Sequence, residues 1–528
     1  MAQTQTKEFG KWRSFLFPVH SFELKKLLPM LFLFFLIIFN YTILRDTKDT
    51  LIVTASGSGA EAIPFLKVYG VLPFAILFMV VYAKLSNKLS KTALFYTTII
   101  PFIAFFALFA TVIYPMRDYL HPHAFCDMLQ EKLPGGFMGV VAMIRNWSYS
   151  LFYIMAELWG SVALSLLFWG FANDTTRVTE AKRFYSLFGL GGNFSMLLAG
   201  PAIIFVSNMR KGLGEGVDPW QVSLNYLMAM VVGAGVLILA TYWYINRHVL
   251  TDPRFYDASE VKKKKDKPKM SIGESFKYLL KSKYIGCIAI LVIAYGISIN
   301  LVEVTWKSQL KLQYPNPNEY SAFMGMYSTI TGAMTILMML FVGGNLIRRK
   351  GWTFGAMTTP VILLATGALF FTFIIFRDQL GGVVSAFGTT PLMLAVVFGM
   401  AQNIASKSTK YSLFDPTKEM AYIPLDQEQK VKGKAAVDVV GARAGKSGGA
   451  LIQQVLIIGF GSIAAITPYI ALILFGIIAA WILGAKALGK QFGALQAQKD
   501  AELETASKEL ETAKAKTQEL AETAAKTT

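Results

Sequence analysis

Glu157 and Glu303 are carboxylates set deep inside long apolar runs, 147–171 and 284–306, one in each half of the chain. A charge at membrane depth is costly unless it faces a polar cavity or a partner. We read both as pathway residues; the competing reading is a neutralised glutamic acid bonding a neighbouring helix. Cations stand nearby in sequence. Arg45 and Lys48, in "ILRDTKDTL" (43–51), are three apart and share a helical face. Arg443 and Lys446 repeat that spacing in "GARAGKSGG" (441–449), a small-residue helix whose glycines would let its backbone approach a ligand or another helix. Guanidinium grips phosphate oxygens through paired N–H groups, and lysine acts as a point charge. Two such pairs, one per half, make a site for a polyanion, with Lys48, Arg45, Arg443 and Lys446 as expected phosphate contacts. Glu157 and Glu303 are expected to serve substrate binding or coupling.

"GARAGKS" does not make a P-loop. That motif needs four residues between its first glycine and Gly-Lys, whereas Gly441 and Gly445 enclose three, and no strand precedes them. Arg145 and Asn146 lie upstream of Glu157 on what reads as the same span; together with Tyr153 and Asn300 they are candidates for base or ribose contacts. Asn403 and Trp159 offer similar groups, but with 13% aromatic residues no single ring is diagnostic. Asn300 is three residues from Glu303, hence on its face. No Ser-His-Asp set, Cys/His pair or HExxH motif stands in a usable context, so catalysis is not expected. Cys126 and Cys287 are too few and too far apart for a disulfide framework or zinc site. His121 and His123, in a Pro-flanked segment, read as a solvated loop rather than a metal site. Neither metal nor cofactor is expected.

The elements that must position these residues are membrane helices. The 528 residues are 54% hydrophobic and only 16% charged, against about 25% charged in soluble domains. Several apolar runs exceed the roughly 18 residues that mark a membrane span. Twelve spans are expected, near 27–45, 65–84, 93–115, 138–171, 184–206, 222–245, 284–306, 321–347, 355–376, 383–405, 436–460 and 463–486. The fourth is too long for one straight helix and is expected to begin with a turn at Gly135–Gly136. The net charge of +18 reads first as loop orientation rather than as nucleic-acid binding. Basic residues crowd the N-terminal segment (Lys25 and Lys26 among them), the second-to-third loop, the central "VKKKKDKPK", "IRRK" and the stretch from Lys407 to Lys434. The opposite loops, to which Lys48, Lys307 and Lys311 are assigned, are poorer. Both termini are therefore expected in the cytoplasm. Without an apolar cleavable signal or a transit-peptide composition, a bacterial inner membrane is the expected location.

The chain divides into a cytoplasmic N-terminal segment (1–26), a six-helix half (27–246), a basic linker (247–283), a second six-helix half (284–490) and a polar tail (491–528). A faint repeat lays Asp174, Lys182 and Gly191 over Asp415, Lys432 and Gly441. The tail suits disorder or a surface helix better than a coiled coil. The fold expected is all-α and major-facilitator-like, two halves around a midplane site.

"FELKKLLPM", "RDTKDTLIV", "AELWGS" and the long stretch 413–449 resemble the ATP/ADP translocase family of plastids and obligate intracellular bacteria, over about residues 20–490. The resemblance implies exchange of external ATP for cytoplasmic ADP, with phosphate moving alongside ADP. It places functionally sensitive charges at Lys48, Glu157, Glu303 and Lys446. ATP, ADP, phosphate and the lipid bilayer are thus the expected partners, the protein acting as a monomer without nucleic acid. ATP carries about one more negative charge than ADP, and about 2.3 kcal/mol attends each charge moved through 100 mV, so phosphate leaving with ADP would relieve the electrical opposition. Two other readings stay open on the residues alone: a nucleotide uniporter or proton symporter, and a membrane-embedded enzyme or receptor.

Overall fold

The computed structural model describes residues 19–252, 282–437 and 441–526, together with 255 and 274. Most of the basic linker 247–283 lies outside the described residues, as do the side chains of Lys182, Arg443 and Lys446. Among the described residues all regular structure is helical. Lipid offers no hydrogen bonds, so each crossing segment must satisfy its own backbone, which a helix does.

Ten helices are long and apolar enough to cross a membrane. They are α1 (Ser21–Thr54), α2 (Ala62–Ser86), α3 (Lys91–Ile113), α4 (Trp147–Thr175), α5 (Val178–Asn208), α6 (Pro219–Val249), α7 (Lys283–Gln313), α8 (Pro317–Lys350), α9 (Trp352–Ile375) and α12 (Ile463–Lys526). Two more complete the twelve: α10 (Pro391–Thr409) and α11 (Ala442–Phe460). α10 carries Gln402, Asn403 and Lys407 toward its end, and α11 carries Arg443 and Lys446 toward its start, which lowers the apolarity of both. Several starts are written into the sequence. Pro219, Pro317 and Pro391 open α6, α8 and α10 behind Asp218, Asn316 and Thr390, whose side chains accept from the first free backbone N–H groups.

The fourth expected span is broken. A short turn at Gly135–Phe137 leads into a helix, Met138–Arg145, which ends where Asn146 leaves helical geometry at φ −106° and ψ 46°; α4 begins after it. The tenth starts later than expected, because Arg377–Ser385 forms a separate helix and Gly388 turns the chain with φ +70°. A polar helix, Gln427–Ala436, precedes the eleventh, whose α-helical run is Ala442–Phe460. Of the two forms expected for the tail, the helix is found: α12 runs on to Lys526.

α1–α6 and α7–α12 form two halves that meet along α5 and α8. A Cβ on Gly200 would lie 2.5 Å from the Gly325 carbonyl oxygen, and one on Gly325 would lie 2.8 Å from that of Gly200. These small residues let two helices from different halves touch backbone to backbone. The halves also meet at the end of the bundle where Gly136 abuts the Ile458 backbone and Lys311 donates to the Ser58 carbonyl. At the other end, Lys26 is fully buried, 2.7 Å from Glu180 on α5 and bonded to the Phe255 carbonyl at 2.8 Å. It is an internal tie rather than the loop charge its neighbourhood implied.

Candidate functional site

α1 carries the densest set of buried charges in the bundle. Arg45, Asp46, Lys48 and Asp49 are all at most 9% exposed, on a helix that continues to Thr54, well past its apolar stretch. Charges so deep require partners, and the partners come from both halves. Lys48 Nζ lies 2.8 Å from Asp49 and 3.0 Å from Glu157 on α4, and sits 3.8 Å over the Tyr153 ring. Arg45 pairs with Asp46 at 3.0 Å and donates to Ser328 Oγ on α8 at 2.7 Å, while Ser328 donates back to Asp46 at 2.5 Å.

α7 answers from the other half. Lys307 bridges Asp49 at 2.7 Å and Glu303 at 2.9 Å, the latter one helical turn away. Lys67, on α2, reaches Asn300 Oδ1 at 2.6 Å and Glu303 at 3.7 Å. Asp49–Lys307, Lys67–Glu303, Lys67–Asn300 and Arg45–Ser328 all cross between halves, so the cluster is itself part of their interface. The side chains of Glu157 and Glu303 are 31% and 24% exposed, so neither is sealed in the packed core. Lys407, on α10, faces the same cluster, its Nζ 4.8 Å from the centre of the Tyr327 ring.

Backbone geometry changes beside these charges. The helix widens to i→i+5 turns over Leu66–Val71, which carries Lys67, over Gly160–Phe168, just after Glu157, and over Lys410–Phe414, just after Lys407. Widened turns of this kind often accompany functional sites, because they re-aim side chains and leave carbonyls less firmly engaged.

The comparisons agree with this architecture. A model of the TLC ATP/ADP transporter family matches residues 2–492. The chain belongs to this family. It is 64% identical over 503 residues to ADP,ATP carrier protein 1 of Chlamydia trachomatis serovar D, covering 95% of each chain. It is 55% identical over 489 residues to the chloroplastic ADP,ATP carrier protein 1 of Arabidopsis thaliana, covering 93% of this chain and 77% of the plant protein. A solved D-xylose-proton symporter superposes with TM-score 0.50 at 12% identity, over 89% of this chain and 97% of that one. That likeness is one of fold alone, and the fold is major-facilitator-like. The protein is a multi-pass membrane transporter, not an enzyme.

The transporter's cluster unites Arg45, Lys48, Tyr153, Glu157, Asn300 and Glu303. Gly445 packs on Gly296 and Gly449 on Asn300, so the glycine face of α11 lies against α7; the Arg443 and Lys446 side chains are outside the described residues. Arg145 and Asn146 are not in the cluster. The break at Asn146 puts Arg145 on a separate helix, where it binds Asp127 at 2.6 Å and Gln130 at 3.1 Å, and Asn146 bonds the Ser56 and Ala142 carbonyls. His121 is also not in a solvated loop: it is buried, 2.7 Å from Ser148 Oγ and edge-on to Tyr149, and that burial, helped by His123, lowers its pKa to about 4. Sequence reading passed over Lys67, Asp49, Lys307 and Lys407. One signal was available: Glu303 and Lys307 are four apart, an ion-pair spacing on a helix.

Proposed function

We propose that the transporter exchanges external ATP for cytoplasmic ADP, with phosphate accompanying ADP, across a bacterial inner membrane and with both termini in the cytoplasm. The observation that carries this reading is the cluster of cations and carboxylates shared between the halves. Nucleotide phosphates bind where carboxylates now sit: an arriving polyphosphate competes with Asp49 and Glu157 for Lys48, and with Asp49 and Glu303 for Lys307. Arg45 offers a guanidinium fork to the same chain, and Arg443 and Lys446 supply further contacts from α11. Tyr153, beneath Lys48, and Asn300, bonded to Lys67, are the proposed contacts for ribose or base.

Because the carboxylate contacts cross between halves, trading them for phosphate changes how tightly the halves hold together. A ligand shifts a conformational equilibrium only through such differential contacts. This gives alternating access a physical lever: the loaded cluster and the empty cluster favour different arrangements of the halves. An even number of helices, with basic residues concentrated on one side, supports the orientation.

The test is counter-exchange in liposomes containing the purified protein. Labelled ATP outside should enter vesicles preloaded with ADP and phosphate, and should fail to accumulate in empty ones. Equal uptake into empty vesicles would contradict exchange and favour a uniporter.

A further inference from the structure

Five cations face the cluster among the described residues, and four of them have a carboxylate within 4.0 Å. Arg45 has Asp46, Lys48 has Asp49 and Glu157, Lys67 has Glu303, and Lys307 has Asp49 and Glu303. Lys407 has none; its ammonium rests on the Tyr327 ring. Arg45, Asp46, Glu303 and Lys307 all stand within its electrostatic reach, so it looks onto the same space. An ammonium held among helices without a counter-ion is expensive, and an aromatic face offsets only part of that cost.

The backbone plan repeats around this position. α10 is the fourth crossing helix of the second half, as α4 is of the first. α4 presents Tyr153 and Glu157 four residues apart, and its widened turn starts at Gly160. α10 presents Asn403 and Lys407 four residues apart, and its widened turn starts at Lys410. Both charges therefore stand three residues before the same backbone feature, one negative and one positive.

We propose that Lys407 seats a terminal phosphate dianion, either the γ-phosphate of ATP or a free orthophosphate lying beside bound ADP. This rests on the nucleotide-exchange reading and adds the position that distinguishes triphosphate from diphosphate. At the other four cations a phosphate must displace a carboxylate. At Lys407 it displaces nothing, so the most highly charged group gains most there. One seat for both ligands lets ADP plus orthophosphate fill the space that ATP fills.

The experiment is equilibrium binding of labelled ATP and ADP to the full-length protein in lipid nanodiscs, with and without orthophosphate, for wild type, Lys407→Gln and Lys407→Arg. Lys407→Gln should weaken ATP about tenfold or more, the loss of about 1.4 kcal/mol, while ADP alone weakens less than about threefold. Lys407→Arg should retain most ATP affinity. The thermal midpoint of Lys407→Gln should be unchanged or higher, because an unpaired buried charge has been removed, whereas a structural lysine would lower it. Orthophosphate that tightens ADP binding in wild type but not in Lys407→Gln assigns the seat to both ligands; no orthophosphate effect in wild type, with selective loss of ATP, assigns it to the γ-phosphate. Equal losses for ATP and ADP, or no loss for either, overturn the seat while wild-type binding leaves the exchange reading standing. A wild-type protein that binds neither nucleotide overturns both.

Discussion

α4 and α10 are the fourth crossing helices of their halves and present opposite charges to the same cluster. Glu157 on α4 is engaged by Lys48 at 3.0 Å, which Asp49 also holds at 2.8 Å. Lys407 on α10 has, among the described residues, no carboxylate within ion-pair reach and rests on the Tyr327 ring. The lesson is that a shared backbone plan, including the widened turn three residues on, does not impose a shared role. On our proposal the first half keeps its cations neutralised until a ligand competes for them, and the second half holds one cation open. The faint repeat joining Asp174 to Asp415 fits this pairing: Asp174 closes α4 and bonds Lys91 at 2.8 Å, while Asp415 lies beyond α10 and pairs with Lys410 at 2.6 Å.

The strongest way to break this comparison is to remove the residue that ties the two sides together. Lys307→Ala leaves Asp49 and Glu303 each short of a buried partner. Losing one member of a buried pair costs about 3–5 kcal/mol, so thermal unfolding in nanodiscs should show a large drop and exchange should vanish. Adding Asp49→Asn should recover part of that loss, as expected of coupled neighbours. A small single-variant effect, or simple additivity, would mean that the Lys307 bridge carries little of the interface.

Glu157→Gln sharpens the comparison by making α4 resemble α10, with no carboxylate on its inner face. Lys48 then keeps only Asp49, and the site becomes more positive. ATP should bind about two- to tenfold more tightly, on the order of 1 kcal/mol, while turnover in exchange falls. Weaker ATP binding would show instead that Glu157 touches the nucleotide favourably.

A smaller effect separates the cluster from the outer segment. His121 lies outside the membrane-spanning helices and is held neutral by burial, its pKa lowered to about 4 from 6.5. Below pH 6.5 the unfolded chain takes up a proton that the folded chain refuses, so stability falls as pH drops from about 6.5 toward 4. The unfolding midpoint should decline across that window, and His121→Gln should flatten the slope without altering nucleotide affinity at neutral pH. An unchanged slope in the variant would assign the acid sensitivity elsewhere.

Much of this architecture is legible in the sequence. Apolar runs of span length mark most of the helices, and the Asp-Pro, Asn-Pro and Thr-Pro starts of α6, α8 and α10 are visible as caps. Glu157 and Glu303 stand out because a charge in an apolar run demands an explanation, and Lys48 because it shares a helical face with Arg45. Other members were hidden by the same rule. Reading a span as ending at its first charges closes α1 near Arg45 and α7 near Trp306, which assigns Lys48 and Lys307 to outer loops. In the fold both helices continue, to Thr54 and Gln313, and both lysines are 2% exposed. Lys407 was likewise counted as a cytoplasmic loop charge, though α10 continues to Thr409. Hydropathy sees lipid-facing surface; it does not see that the inner face of a helix at the junction between halves is polar. The placement of Arg145 was lost for a different reason, since the break at Asn146 depends on a side chain reaching the Ser56 carbonyl from a distant segment.

On the exchange proposal, carboxylates in the cluster couple nucleotide binding to the movement of the halves, and Glu303 tests this most directly. It contacts Lys307 and Lys67, one from each half, yet is not assigned to the phosphates. Glu303→Gln preserves shape and removes charge. In a single liposome preparation, ATP–ADP exchange and equilibrium nucleotide binding should be measured together. We predict that exchange falls by about tenfold or more while affinity stays within about threefold. Proportionate losses of both, or normal exchange, would contradict it.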